Sequence, residues 1–519
     1  MNSFDSWALS LVVFVPMVGV VAMMVIPRAQ ETALKATALL TTVATAGVGV
    51  YLLVGFDYGK SRALQFEVNK TWIEVINSRY HVGLDGISLP LLALSILITV
   101  LCVVYSWDHF PEPHNPKAFL ILVLVLETGM NGTFVAQDLI LFFVFFELVL
   151  LPMYFMIGVW GGPNRQYAAI KFFLFTLFGS ALMILSFLAL YFKGGNTFDM
   201  VKLAQMHGDG IVHSTQLIIF GGLFAGFAIK VPMFPFHTWL PDAHTEAPTV
   251  GSVILAAILL KLGTYGFVRI AIPILPEAAR SWAPWIGALA VVGIIYGALG
   301  CLAQRDMKRL IAFSSVAHMG FVMLGIATLT TFGINAAIFG MVAHGLITGM
   351  LFFVAGSIGE RYETREISRL GGLLLQAPRL GWILGFCAMA SLGLPGLAGF
   401  WGEFPAILSA YQPAAGLSEP LFRVYMVVAS VGTVLAAGYL LWMLQRVAFG
   451  IVKPEFERAH VHDVHVPEYL AWVPMLLLIV ALGVYPHLLF RMTDDAVQRV
   501  TADVPARPVG TITAAGAHP

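Results

Sequence analysis

Charge is scarce in this sequence. Asp, Glu, Lys and Arg make up 11% of its 519 residues, with 29 acidic side chains against 29 basic ones. Soluble domains carry about twice that fraction, so an ordinary soluble enzyme is excluded. The zero balance gives no electrostatic basis for holding nucleic acid or an anionic surface. Cysteine is almost missing too. Cys102, Cys301 and Cys387 are scattered in apolar runs and form no C-x-x-C pair, so neither an iron–sulfur cluster nor a zinc site is supported and they read as small core residues. No G-x-G-x-x-G follows a strand-like run and no G-x-x-x-x-G-K-[ST] occurs, which removes dinucleotide and ATP sites of those kinds. Any redox chemistry must lie in partners.

Apolar sequence is what the chain has in abundance: 59% of residues are hydrophobic and the mean hydropathy is +0.84. A membrane-spanning helix needs about 20 mostly apolar residues, so fourteen spans account for nearly all of them. Continuous apolar runs also argue against a β-barrel, whose strands alternate. The expected fold is an all-α polytopic membrane protein with helices near 7–26, 33–55, 86–107, 117–134, 136–158, 167–192, 215–238, 247–272, 283–303, 308–327, 334–357, 378–411, 421–446 and 468–490. Asp5 stands where a secretory signal would carry a basic residue, so the first run reads as an anchor and not a cleaved signal. Setting aside the long 56–85 connection, fifteen Lys and Arg fall in connections on one side and seven on the other. The richer side is expected to be cytoplasmic, with both termini and the 56–85 loop outside.

Ionisable groups inside apolar helices carry the functional information, because each costs roughly 2.5–3.5 kcal/mol to insert unless it faces a partner or a wet cavity. Glu147 interrupts Leu141–Leu150, Lys230 closes Phe224–Ile229, and Lys261 lies within Ile258–Gly263. His318, His344 and Glu403 sit in the same way in later spans, and Glu127 is similarly placed. The plainer alternatives are side chains reaching the headgroups, structural ion pairs, or packed histidines. A lysine releases its proton near neutral pH only where burial disfavours its charge, and a neighbouring carboxylate restores it. Moving Glu147 toward or away from Lys230 would therefore switch that lysine between holding and releasing a proton. Acid, Lys, Lys, His and acid in series read as a proton relay, whereas Na+ would favour clustered carboxylates and carbonyls.

Helix breakers mark the same places. Pro232 and Pro235 follow Lys230, and Pro395 precedes Glu403 among Gly393, Gly396, Gly399 and Gly402. Backbone broken at membrane depth is tolerated only in a protein interior or a wet cavity, as at transport sites. Glu403 follows Lys230 by 173 residues and His318 follows Glu147 by 171. This shared offset pairs helix 5 with helix 10 and helix 7 with helix 12. Residues 117–272 (helices 4–8) and 283–446 (helices 9–13) then form two five-helix repeats, inverted because five is odd. Residues 1–110 supply helices 1–3, 468–490 the last helix, and 491–519 a C-terminal tail, expected to be disordered from Thr501 onward.

Two polar segments are less specific. His237, Asp242, His244 and Glu246 lack fixed helical ligand spacing, so a proton-uptake site or loop anchor is expected there and a metal site is not. His460, His462, Asp463 and His465 read as a solvated connection.

The segment Lys230–Thr249 (KVPMFPFHTWLPDAHTEAPT), with Gly251–Gly266, Tyr80–Gly86 and Leu394–Phe404, resembles the proton-translocating antiporter-like subunits of respiratory complex I. It looks like the subunit M branch, the bacterial counterpart of mitochondrial subunit 4, and the resemblance covers nearly the whole chain. It implies fourteen helices, two inverted five-helix repeats and broken helices 7 and 12. It also implies Glu147 and Lys230 as a modulating ion pair, Lys261 as the central relay lysine, His318 and His344 as connectors, and Glu403 as the terminal group toward the outside. An acid at 403 fits this branch, since sister subunits L and N carry Lys there. The implied setting is the bacterial inner membrane, with L and N as neighbours. NAD, FMN, iron–sulfur clusters and quinone would lie in partner subunits and no cofactor in this chain. Rival readings are a subunit of a multi-subunit Na+/H+ antiporter or membrane-bound hydrogenase, and a structural spacer.

Overall fold

The computed structural model describes residues 4–458, 461–502 and 504. His460 and most of the tail beyond Ala502 fall outside them.

Among the described residues, twelve helices are long and apolar enough to cross a membrane. Their starts follow from local chemistry. Asn115 accepts from the Ala118 amide at 3.3 Å with Pro116 at the first helical position. Asp138 accepts from Ile140 and Leu141 at 3.0 and 3.1 Å, Asp306 from Arg309 at 2.9 Å, and Thr330 from Gly333 at 3.0 Å. Each side chain satisfies an amide that the first turn leaves without a partner.

The two remaining expected spans are the broken ones. Helix 7 runs as His213–Lys230, and the chain re-enters helix at Trp239–Glu246 beyond Pro232 and Pro235. The Trp239 indole donates to the Ile229 carbonyl at 2.9 Å, occupying a group that the break would otherwise leave bare. Helix 12 is Pro378–Ser391 followed by Ala398–Ser409, with Pro395 in the gap. Leu139–Leu148 and Leu150–Trp160 meet at Val149, beside Glu147, where Pro152 has no N–H to give the Leu148 carbonyl.

Three helices are almost wholly enclosed by the others: Thr249–Ile274, Met307–Ala327 and Thr331–Tyr362. They carry Lys261, His318 and His344. Helices such as Glu31–Gly55 and Glu419–Val447 leave most of their apolar surface outward, as a lipid-facing rim does.

Two features depart from the sequence expectation. The 56–85 connection contains an antiparallel hairpin, Gln65–Ile73 with Ser78–Leu84, so the fold is not wholly α. Residues 491–502, expected as the start of the C-terminal tail, belong to a helix, His487–Ala502. Leu489, Thr493, Ala496, Val497 and Val500 recur at helical spacing and are buried, while the intervening charges face outward.

The hairpin is tied down by His81, which is buried against Glu67 at 2.8 Å and Asp199 at 3.4 Å. Burial alone pushes the ring's pKa down, but the Asp199 and Glu67 carboxylates outweigh it and hold it above the ordinary value. A raised folded value means that the stabilisation is complete below the unfolded value of about 6.5 and is lost as pH climbs through the folded one. Protease cleavage at the hairpin should therefore accelerate on going from about pH 6 to pH 8, and His81→Gln should flatten that dependence.

Candidate functional site

The three enclosed helices and the second half of helix 12 bring four of the predicted residues together. Lys261 is fully buried, and its ammonium donates to the Ala256 carbonyl at 2.5 Å and lies 2.6 Å from Nδ1 of His344. Helical bonding widens to the i→i+5 pattern over Leu255–Leu259, just before Lys261, and again over Phe267–Ala271. Such π segments are uncommon and cluster at functional sites. The His344 and His318 rings meet edge to face with centroids 6.1 Å apart. His318 Nδ1 lies 2.5 Å from Glu403, and its Nε2 meets the Tyr439 hydroxyl at 3.0 Å and the Ser391 hydroxyl at 3.2 Å. A cavity with room for about one water lies along this stretch, lined by His318, His344, Thr348, Ser391 and Glu403. Glu403 reaches it because Gly402 packs directly on the Thr331–Tyr362 helix, where a Cβ would fall 2.5 Å from Gly340 Cα.

The first half of the row is arranged differently. The Lys230 ammonium is buried, has no hydrogen-bond partner among the described residues, and stands 4.7 Å above the Phe146 ring. Glu147 is partly exposed and accepts a hydrogen bond from Ser180. It interacts with Lys230 through the electrostatic field without bonding its ammonium. The helix that carries Lys261 closes up on the one that ends in Lys230 because of Gly263. A Cβ there would lie 2.7 Å from the Phe227 carbonyl oxygen and 3.1 Å from Lys230 Cβ.

The residues of the Phe236–Glu246 segment do not form one cluster. His237 packs between Phe234 and Tyr296, with ring centroids at 5.7 and 4.9 Å. Asp242 pairs with Lys171 at 2.7 Å and with Arg309 at 3.5 Å, as an anchor would. His244 is fully buried, stacks on Phe352 at 4.4 Å, and lies within electrostatic reach of both Lys261 and Lys308. In the 461–465 connection, Asp463 accepts from the Arg379 and Leu380 amides at 3.0 Å each, and His465 caps the Val466–Val484 helix. No group of three or more His, Cys, Asp or Glu able to hold a metal occurs among the described residues.

Sequence reasoning missed Lys308. It was counted among loop charges, yet it is buried and donates to the Ala247 carbonyl. Its position two residues after the Asp306 cap, inside the first turn of an apolar helix, was the available signal. Lys308 forms part of the wall of a cleft of about 740 Å³, whose lining includes six carboxylates, among them Glu246, Asp306 and Glu360. Glu127 is buried with both carboxylate oxygens unpartnered among the described residues, one turn from Asn131, which bonds Ser95 and the Val12 carbonyl.

Two spans broken at depth, with a row of ionisable groups running between them through the most enclosed helices, define an antiporter-like membrane protein. Residues 136–443 match the family described as NADH:quinone oxidoreductase/Mrp antiporter, TM, and residues 61–133 match NADH-ubiquinone oxidoreductase chain 4, amino terminus. The chain is 40% identical over 523 residues to NADH-quinone oxidoreductase subunit M of Rhodobacter capsulatus, covering 98% of this chain and 99% of that one. It is similar to a chain of respiratory complex I from Thermus thermophilus with bound NADH, with TM-score 0.84, 28% identity and coverage of 96% and 100%. A chain of the Mrp complex from Dietzia sp. DQ12-45-1b shares the fold at TM-score 0.82 and 20% identity, with coverage of 97% and 100%. The chain belongs to the NADH-quinone oxidoreductase subunit M/chain 4 family.

Proposed function

We propose that this chain is a proton-translocating membrane-arm subunit of NADH:quinone oxidoreductase and that Glu147, Lys230, Lys261, His344, His318 and Glu403 are its relay. It is a multi-pass inner-membrane protein that works in a complex with other membrane subunits. It takes part in an H+-translocating oxidoreductase without doing redox chemistry itself. The observation that carries the relay is the pair of short contacts, Lys261 to His344 at 2.6 Å and His318 to Glu403 at 2.5 Å, with the two imidazoles edge to face at 6.1 Å. Imidazole both accepts and donates a proton, so two of them in series join an ammonium to a carboxylate without a charge being left in lipid.

The finer assignments belong to the same reading. Lys308 and His244 lead from the carboxylate-lined cleft toward Lys261 and suit proton uptake, since a carboxylate-rich mouth concentrates protons. That cleft lies at the Lys- and Arg-rich end, which the positive-inside rule makes cytoplasmic, with both termini outside. The breaks in helices 7 and 12 support two inverted repeats at 117–272 and 283–446. Subunits L and N are the neighbours, and the nicotinamide, flavin, iron–sulfur and quinone sites lie in partners.

Gentle purification of the chain tests this reading. Flavin and iron–sulfur subunits should come with it, and a purely membranous set of partners would instead identify an antiporter assembly.

A further inference from the structure

The Thr249–Ile274 helix carries polar groups at four-residue spacing beyond the relay: Lys261, then Tyr265, then Arg269. The Tyr265 hydroxyl donates to the Phe134 carbonyl at 2.9 Å, lies 2.9 Å from the Ser88 hydroxyl, and receives Nε of Arg269 at 3.0 Å. Arg269 holds Asp85 with two bonds, at 2.7 and 2.5 Å, and also donates to Ser88 at 3.0 Å. Asp85 in turn accepts from the Ile87 and Ser88 amides at 3.0 Å each. Its oxygens are thereby occupied by four donors. On the far side of this pair is a cavity of about 160 Å³, whose wall includes Arg62, Arg499, His207 and Gln137. Three arginines face one carboxylate there, the reverse of the acidic cleft near Lys308. From Arg269 back to Lys261 is eight residues, about 12 Å of helix.

We propose that the Asp85–Arg269 pair is an insulating plug that keeps Lys261 from exchanging protons with the cavity beside the 56–85 connection. A relay lysine that could reach water on both faces would short-circuit the membrane. Arginine suits the opposite task because it does not give up its proton in proteins. Its fixed positive charge also raises the energy of an approaching hydronium, as cationic barriers do in water pores. A mere tie between helices would need one ion pair. It would not need the cavity's excess of arginine or the Tyr265–Ser88 bonds stacked in series behind it. The plug directs a proton on Lys261 toward His344 and Glu403. This inference rests on the proton-translocation reading.

The test uses the intact complex in sealed vesicles carrying an internal pH dye. Asp85→Asn combined with Arg269→Met removes both charges together, so no buried charge is stranded. NADH oxidation should continue in this variant while the steady pH gradient collapses. Passive proton flux under a potassium diffusion potential should rise above wild type in this variant, and by roughly tenfold in Arg269→Gln, which alone removes one net charge about 10 Å away at an effective dielectric near 20. Arg269→Lys, which keeps the charge but can release its proton when buried, should leak less than the neutral variants and more than wild type. Should the double variant fail to assemble, Arg269→Gln is decided by the same flux measurement. Assembled neutral variants with wild-type flux would overturn the plug. Wild-type vesicles that oxidise NADH without any acidification would instead overturn the translocation reading on which it rests.

Discussion

Replacing Lys261 with methionine lowers coupled NADH:quinone turnover and proton pumping by roughly a hundredfold, the loss typical when a positioned proton-transfer group is removed. Methionine keeps most of the volume, so the enclosed Thr249–Ile274 helix still packs and the complex assembles. What disappears is the side-chain link from this helix to His344. Lys261→Arg should be nearly as damaging, because guanidinium keeps the charge but does not release its proton. NADH oxidation by membranes, dye-reported acidification and a native gel for assembly check all three statements. An assembled Lys261→Met complex that pumps at the wild-type rate would remove Lys261 from the relay and favour a structural spacer.

Lys230→Ala and Glu147→Gln should each cost at least about tenfold in the same assays, while Glu147→Asp, which keeps the charge, is milder. The unpartnered ammonium of Lys230 is the reason. A buried charge without a hydrogen bond is expensive and is relieved either by losing the proton or by the approach of an opposite charge. Glu147, held only by Ser180 and partly exposed, is the group placed to make that approach. Alanine at 230 removes the charge to be switched, and glutamine at 147 removes what switches it. If Glu147→Gln matched Glu147→Asp, the carboxylate's charge would have no part in the switch.

The helical frame was legible because lipid imposes a length and a composition on each span, and the apolar runs record both. Lys261 and Glu403 were legible for the opposite reason, since a charge in such a run has few explanations. The hairpin at Gln65–Ile73 was not, because its polar, surface-facing strand lacks clean alternation. Nor was the His487–Ala502 helix, whose buried face holds Thr and Ala as well as Leu and Val and so gives little hydropathy signal. Lys308 was hidden by its neighbours. In a basic stretch with Arg305 and Arg309, nothing local tells which cation turns inward; only packing against the Ala247 turn decides it. The contacts between Lys261 and His344 and between His318 and Glu403 join residues more than eighty positions apart, and spacing along the chain carries no distance in space.

Lys261, His318 and His344 each lie near the middle of a spanning helix, in Thr249–Ile274, Met307–Ala327 and Thr331–Tyr362. A proton handed along them travels parallel to the bilayer. Full passage of one charge across 100 mV involves about 2.3 kcal/mol, but sideways steps at one depth sample almost none of that drop. Voltage therefore leaves the hand-over between these groups nearly untouched. In the proposed relay it would oppose the uptake that loads Lys261 and the release that empties Glu403, so the electrical work of pumping would be concentrated at the two ends of the row.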